Sequence, residues 1–131
     1  MRVQMIQHNI DRKVAAPAKL IKAFDLPKDA QRVGKYSCSL ATAFGQMHVT
    51  TAHVCFVGSF GKKVSMPLAD VAELKPAKRF SLSPGHGHSL HVKSKGGQTM
   101  VFHGIFERDA CLELIKAQCA VNGATPVVTK A

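Results

Sequence analysis

Lysine side chains next to tight turns are the clearest chemical feature of this sequence. Lys62 and Lys63 close the segment "GSFGKK", and Lys93 and Lys95 lie in the segment "KSKGG". An ammonium group pairs with phosphate as a point charge, so both segments could contact an anionic surface. The alternative is a solvated lysine cluster without a ligand.

Three histidines form a second candidate cluster. His86, His88 and His91 have the spacing H-x-H-x-x-H across a glycine-rich loop, and zinc binds imidazole readily. No cysteine or carboxylate lies near them in sequence, so the pattern favours no metal site, with zinc as the alternative. Catalysis is unsupported, because the acidic residues are scattered and no paired carboxylates or phosphate-binding loop occur. We therefore expect a non-enzymatic domain without a cofactor.

The net charge favours anionic partners. The chain of 131 residues has 18 Lys and Arg against 8 Asp and Glu, a formal charge of +10. Nucleic acid and an acidic membrane surface both fit this excess, and a basic domain with neither partner is the third possibility. The chain has one Tyr and no Trp, and it lacks aromatic strands on which RNA bases could stack. Nucleic acid is therefore the weaker candidate.

The cysteines and the hydropathy of the chain bear on its compartment. Cys38, Cys55, Cys111 and Cys119 lie in apolar stretches and form no C-x-x-C pair, which predicts reduced, buried thiols inside a cell. No stretch reaches the ~18 apolar residues of a membrane span, and charged residues at 11–13 interrupt any signal-peptide core. We expect a cytoplasmic protein, although the basic N-terminus is weakly similar to a transit peptide.

Hydrophobic periodicity predicts a β-rich domain that ends in one helix. Seven short segments have strand-like apolar patterns, mostly alternating but continuous over 54–57, and the period becomes helical over 107–121. This order indicates an antiparallel sheet with a helix over one open end or face. The predicted strands are 35–40, 47–49, 54–57, 64–66, 71–75, 90–92 and 100–102.

The two ends of the chain are predicted to lie outside this domain. Residues 1–23 have a loose helical spacing that Pro17 would stop or kink, which indicates an arm or a marginal helix. Residues 122–131 are predicted to be a frayed tail. The domain itself is assigned to 24–121.

Several motifs resemble the GRAM domain of the pleckstrin-homology-like superfamily. They are "FDLP" at 24–27, "YSCSL" at 36–40, "GQMHVTTAHVCFVGSFGKKVSMPLADVAELK" at 45–75 and "FHGIFERDACLELI" at 102–115. The resemblance covers about residues 24–118, and its central block is specific. The loop "PAKRFSLSPGHGH" has no counterpart in the family pattern.

This resemblance implies a fold and a function. The fold is mainly β (α+β), a pleckstrin-homology-like barrel of about seven antiparallel strands with a C-terminal capping helix. The function is that of a non-catalytic, membrane-targeting module that binds phosphoinositides or other anionic phospholipids. Such a domain would lie in the cytoplasm at the membrane periphery. The alternative is an adaptor that binds a protein partner in the groove between barrel and helix.

A binding site follows from the same analogy. The turns at 41–45 and 58–63 must emerge at one end of the first antiparallel sheet, and in pleckstrin-homology domains the sixth turn, here 93–97, joins them at the open end. The lipid-binding residues expected there are Lys62, Lys63, Lys93, Lys95 and Phe44. Phe60 belongs to the structural pattern of the family, so we expect Phe60 in the core and Phe44 as the apolar anchor.

A second basic group follows the fifth predicted strand and consists of Lys75, Lys78 and Arg79. We expect it at the other end of the barrel, as a solvated edge or as a contact for a protein partner or a second membrane surface. His53 lies in the core pattern of the family and is expected to be a hydrogen-bonded structural residue.

Overall fold

A largely antiparallel sheet forms most of the structure. The computed structural model describes residues 14–78 and 87–129. The strands are β1 (Val14–Ala15), β2 (Gln31–Leu40), β3 (Ala43–Thr50), β4 (His53–Gly58), β5 (Lys63–Pro67), β6 (Val71–Ala77), β7 (Ser89–Ser94), β8 (Thr99–His103) and β9 (Val127–Val128). The helices are α1 (Ala18–Phe24) and α2 (Arg108–Val121). All seven predicted strands are present, and each is longer than the periodicity indicated.

Strand β2 links the two halves of this sheet. The strand order is β5-β4-β3-β2-β8-β7-β6-β9, with β1 paired beside β2. β2 pairs with β3 along most of its length but with β8 only at Ser39 and Leu40. The ring centroids of Phe56 in β4 and Phe102 in β8 are 6.0 Å apart, although two strands separate β4 from β8. The two halves therefore face each other across one core, and the described sheet is open between its two end strands, β5 and β9.

Helix α2 packs against β2, β6 and β7. Its buried residues are Arg108, Cys111, Leu112, Leu114, Ile115 and Cys119. The helix approaches β2 closely, because a Cβ atom at Gly34 would lie 2.5 Å from Cδ2 of Leu114. Gly123, with a φ of +79°, follows the end of the helix in the left-handed conformation that glycine adopts without strain. The predicted mainly β fold with a C-terminal helix is confirmed.

Helix α1 lies after Pro17, whereas the arm or marginal helix expected at 1–23 was to be stopped or kinked by this residue. Pro17 begins this helix instead of stopping one, since its carbonyl accepts the N–H groups of Leu20 and Ile21 at 2.9 and 3.1 Å. Proline suits this place because the first residues of a helix have no partner for their N–H groups. The apolar spacing before residue 14 lies outside the described residues.

The N-terminal segment covers the outer face of β4. Leu20 of α1 is buried with Ala16, Leu26 and Cys55, and this small cluster is separate from the main core. Cys55 belongs to it because Val54 and Phe56, its neighbours in β4, point into the main core. The continuous apolar run of β4 therefore serves two cores, one on each face of the sheet.

The prediction of a frayed tail after α2 is wrong for part of that segment. Val127 and Val128 form β9 and pair in parallel with Glu73 and Leu74 of β6. Strand β6 would otherwise end the sheet with unpaired backbone groups, and these attract an extended segment. A two-residue pairing leaves almost no periodicity in the sequence, so the pattern did not reveal it.

Candidate functional site

Two turns lie side by side at one end of the first half of the sheet. Strand β3 begins just after the turn at 41–42, and its Gly45 pairs with Gly58, the last residue of β4. A Cβ atom at Gly45 would lie 2.1 Å from the carbonyl oxygen of Val57, so the two strands need glycine here. Phe44, which precedes Gly45, consequently lies beside the turn that follows Gly58.

Phe60 occupies the tip of this second turn, and its expected place in the core is wrong. Its side chain is fully exposed, at 103%, and its φ of 58° lies in the left-handed region that disfavours aromatic residues. The turn is closed by the N–H of Gly58, which donates to the carbonyl of Lys62 at 2.8 Å.

The core at this end is already filled, which explains why Phe60 points outward. Phe56 packs so closely under the turn that a Cβ atom at Gly58 would lie 2.5 Å from its ring. Phe56 also contacts Phe102 from the opposite half of the sheet. These two rings occupy the core beneath the turn, and the Phe-Gly motif gives the turn its shape with the Phe60 ring in solvent.

Phe44, Phe60, Lys62 and Lys63 form what we call the two-turn surface. Phe44 is 76% exposed, and both lysines are exposed. Neither lysine forms an ion pair with any residue of 14–78 or 87–129. Two phenyl rings and two uncompensated positive charges therefore project from neighbouring turns.

Lys93 and Lys95 belong to the β7–β8 hairpin, and both are exposed. Strand β8 runs antiparallel to β2, so the hairpin extends from the same end of β2 as the turn at 41–42. Its closest tie, however, is to the start of β6, where the N–H of Lys95 donates to the carbonyl of Asp70 at 2.8 Å. Whether this hairpin shares one site with the two-turn surface stays a prediction.

A protein-family model for the GRAM domain matches residues 19–121. The chain belongs to the GRAM domain family. The family consists of non-catalytic modules associated with membranes and lipid binding. No curated protein sequence matches this GRAM domain.

Solved structures share the fold of this GRAM domain at low sequence identity. The C-terminal domain of an unknown protein from Leishmania infantum has a TM-score of 0.65 and 15% identity, over 78% of this chain and 95% of that one. The hSac2 domain of the human phosphoinositide phosphatase Sac2 has a TM-score of 0.59 and 10% identity, over 87% of both chains. A chain of the Spt16D Pob3N heterodimer has a TM-score of 0.53 and 9% identity, over 73% of this chain and 53% of that one. These similarities confirm the pleckstrin-homology-like fold.

None of the helices in the described ranges is long and apolar enough to cross a membrane.

The second basic group of this GRAM domain is only partly described. Lys75 is half-buried in β6 and pairs with His91 of β7, and Lys78 is exposed just after β6. Arg79 lies outside the described residues. The proposed use of this group as a contact stays a prediction.

The structure describes only two of the three clustered histidines, His88 and His91, because His86 lies outside the described residues. His88 is exposed, and its ring stacks on Phe106 with centroids 6.4 Å apart and an angle of 5° between the rings. His91 is half-buried on the neighbouring strand. Residues 14–78 and 87–129 contain no group of three potential metal ligands.

His53 differs from the expected hydrogen-bonded residue. Its backbone N–H does bond to the hydroxyl of Thr50 at 2.9 Å, but its buried Nδ1 atom has no hydrogen-bond partner among the described residues. Burial lowers the pKa of this imidazole. His53 lines a cavity of about 480 Å³ between the β3–β4 turn and the segment from Leu26 to Gln31.

The cysteine side chains are free and buried, as predicted. Burial raises the pKa of the Cys38 thiol to about 11 and that of the Cys55 thiol to about 12. A thiol with so high a pKa is a poor nucleophile at neutral pH. The described cysteines therefore have a structural role in packing.

Sequence analysis missed one residue of the two-turn surface, namely Phe60. The signal was present in the sequence, since a large aromatic residue between Ser59 and Gly61 must lie in a tight turn. The family pattern alone favours a buried ring, whereas the turn chemistry favours an exposed one.

Proposed function

We propose that this GRAM domain binds anionic membranes through the two-turn surface. The observation that supports the proposal is the exposure of Phe44 and Phe60 on adjacent turns, directly beside Lys62 and Lys63, which form no ion pair within the described part of the chain. Phosphoinositides and other anionic phospholipids are the proposed ligands. Lys93 and Lys95 would add charge if their hairpin faces the same membrane.

The two kinds of side chain have complementary roles in such contact. A phenyl ring gains free energy when it enters the boundary between head groups and acyl chains, at most about 2 kcal/mol when fully buried. Each lysine near an anionic leaflet contributes roughly 1 kcal/mol at physiological salt. The charged contribution weakens as salt is added, whereas the apolar contribution does not. Binding should therefore be weak, dependent on anionic lipid and only partly sensitive to salt.

Vesicle co-sedimentation tests this function. Phosphoinositide vesicles are the first probe, because one structural neighbour comes from a protein named as a phosphoinositide phosphatase. Phosphatidylserine and neutral phosphatidylcholine vesicles are measured beside them at two salt concentrations. We expect binding to both anionic compositions and none to neutral vesicles. Binding to phosphoinositide vesicles alone would narrow the ligand to that class.

Charge and ring variants identify the surface that binds. Lys62→Glu/Lys63→Glu should weaken binding about 30-fold or more, because two favourable contacts become repulsive. The matched control, Lys28→Glu/Lys116→Glu, makes the same change in net charge at exposed sites away from the two turns. If both double variants lose binding equally, only overall charge matters and the proposed surface is wrong.

The apolar contribution and the third turn are tested separately. Phe44→Ser/Phe60→Ser should weaken binding about ten-fold while leaving the salt dependence in place. Lys93→Glu/Lys95→Glu tests the β7–β8 hairpin, and normal binding by this variant would remove the hairpin from the site. Absence of binding to every vesicle composition would reject the membrane function altogether.

A further inference from the structure

The chain's own C-terminal segment lies along the outer edge of β6. The N–H of Thr129 donates to the carbonyl of Leu74 at 3.0 Å, and the Thr129 hydroxyl donates to the Glu73 carboxylate. With the parallel pairing of Val127 and Val128, these contacts make the segment the last strand of the described sheet.

The segment is held firmly at its start and weakly at its end. Ala124 is buried at 2% exposure, and its N–H donates to the carbonyl of Cys119 at 2.8 Å. In contrast, Val127 is 65% and Val128 37% exposed. Val127 is mostly exposed and neither valine belongs to the main core cluster, so residues 127–129 can leave β6 without removing a residue of that core.

The edge beneath this segment has the properties of a short peptide-binding site. Leu74 presents backbone groups to an added strand, and the Glu73 side chain accepts a hydroxyl from it. Pairing is limited beyond this point, because Pro76, two residues after Leu74 on the same edge, has no N–H group to donate to an added strand. The site therefore fits about three residues of an extended chain and not a long strand.

We propose that this edge of β6 is a docking site for an extended segment of a partner protein. The partner strand would replace residues 127–129, run parallel to β6, and carry two β-branched residues followed by Ser or Thr. The hydroxyl of that last residue would bond to Glu73, as the Thr129 hydroxyl does. The chain's own segment acts as an intramolecular competitor that admits only partners with a better fit. This site is independent of the proposed membrane surface.

A labelled peptide with the sequence of residues 124–130, Ala-Thr-Pro-Val-Val-Thr-Lys, serves as the probe. Its fluorescence anisotropy is measured with the parent protein, with Thr129→Pro and with Thr129→Ser. Proline removes both contacts of Thr129, whereas serine keeps the N–H and the hydroxyl. Because residues 127–129 lose two hydrogen bonds to β6 in Thr129→Pro, this variant should bind the peptide about ten-fold more tightly than the parent does. Thr129→Ser should bind the peptide with the affinity of the parent.

Two further measurements decide the site. Glu73→Ala in the Thr129→Pro background should lower peptide affinity about five-fold, since the hydroxyl loses its acceptor. Hydrogen exchange of the β6 amides reports whether residues 127–129 have left the edge of β6. If Thr129→Pro alone leaves these residues in place, the double variant Val128→Gly/Thr129→Pro is used. Equal peptide affinity in the parent and released proteins would place the peptide elsewhere and overturn the proposal. The proposal would also be overturned if a folded variant whose residues 127–129 have left β6 showed no saturable binding of the peptide.

Discussion

Arg108 should contribute more to stability than any other exposed or buried charge in the described residues. Its guanidinium is buried, with the Nη1 atom donating to the carbonyls of Ala77 and Ser89, each at 3.1 Å. These carbonyls end β6 and begin β7, so Arg108 joins two strand ends to the start of α2. The Nε atom also contacts the Asp109 carboxylate at 2.7 Å, but that side chain is 82% exposed.

Arg108→Ala removes a charged donor from each of two carbonyls at the strand ends. Each hydrogen bond from a charged donor contributes about 1.5–3 kcal/mol, and removing the buried charge recovers part of its desolvation cost. The expected loss in the free energy of unfolding is therefore about 3 kcal/mol. Arg108→Lys keeps the charge but cannot span both carbonyls, so it should cost about half as much. Asp109→Ala should cost at most about 1 kcal/mol, because its ion pair is largely in solvent.

Urea unfolding followed by circular dichroism measures all three variants. The order of stability should be parent, Asp109→Ala, Arg108→Lys and Arg108→Ala, with an unchanged dependence of free energy on urea. An Arg108→Ala protein within 1 kcal/mol of the parent would show that the carbonyl contacts contribute little. Equal losses in Asp109→Ala and Arg108→Ala would assign the effect to the ion pair instead of the two strand ends.

Three other predictions concern the sheet surface and its coverings. Burial, assisted by two nearby cations, lowers the pKa of His48 to about 4. In the unfolded chain the pKa of His48 is about 6.5, so below that pH the unfolded state binds more protons and the free energy of unfolding should fall, by up to about 2 kcal/mol at pH 5. Urea titrations should show a smaller loss of stability at low pH in His48→Gln than in the parent. Identical pH profiles for the two proteins would contradict the prediction. Phe60→Asn should raise the free energy of unfolding by about 0.5–1 kcal/mol, measured with urea, because asparagine tolerates a positive φ. The same substitution should weaken vesicle binding. A variant less stable than the parent would argue against backbone strain at this turn. Leu20→Ala should weaken the packing of α1 on β4 and so speed alkylation of the Cys55 thiol about ten-fold. Cys119, which lies in the main core, is the control and should react at its parent rate. Equal acceleration at both thiols would indicate global unfolding instead.

The sequence predicted the parts of the fold that repeat with a regular period. Alternation marked most of the seven main strands, a continuous apolar run marked β4, and helical spacing marked α2, because each of these patterns repeats along its element. Strands β1 and β9 were missed since each pairs through only two residues. The position of helix α1 after Pro17 was missed because Pro17 suits either the end of one helix or the start of the next, and periodicity does not distinguish the two.

The candidate surface was predicted unevenly for similar reasons. The lysines of the two-turn surface could be placed because turns of an antiparallel sheet alternate between its two ends. The direction of Phe60 could not be read from periodicity, since it depends on Phe56 and Phe102 filling the core beneath the turn. Contacts between distant segments decide such cases, and a local pattern does not contain them.

The pairing of Gly45 with Gly58 also determines how the domain would meet a flat surface. Because the two strands touch backbone to backbone there, the turns that carry Phe44 and Phe60 are joined directly at their base. Two contact points define an axis, so a membrane bound as proposed would limit the domain to rotation about that axis. Basic side chains on the β7–β8 hairpin would then select one tilt from those that remain. The pairing of Gly45 with Gly58 would in this way help to orient the whole domain on the bilayer.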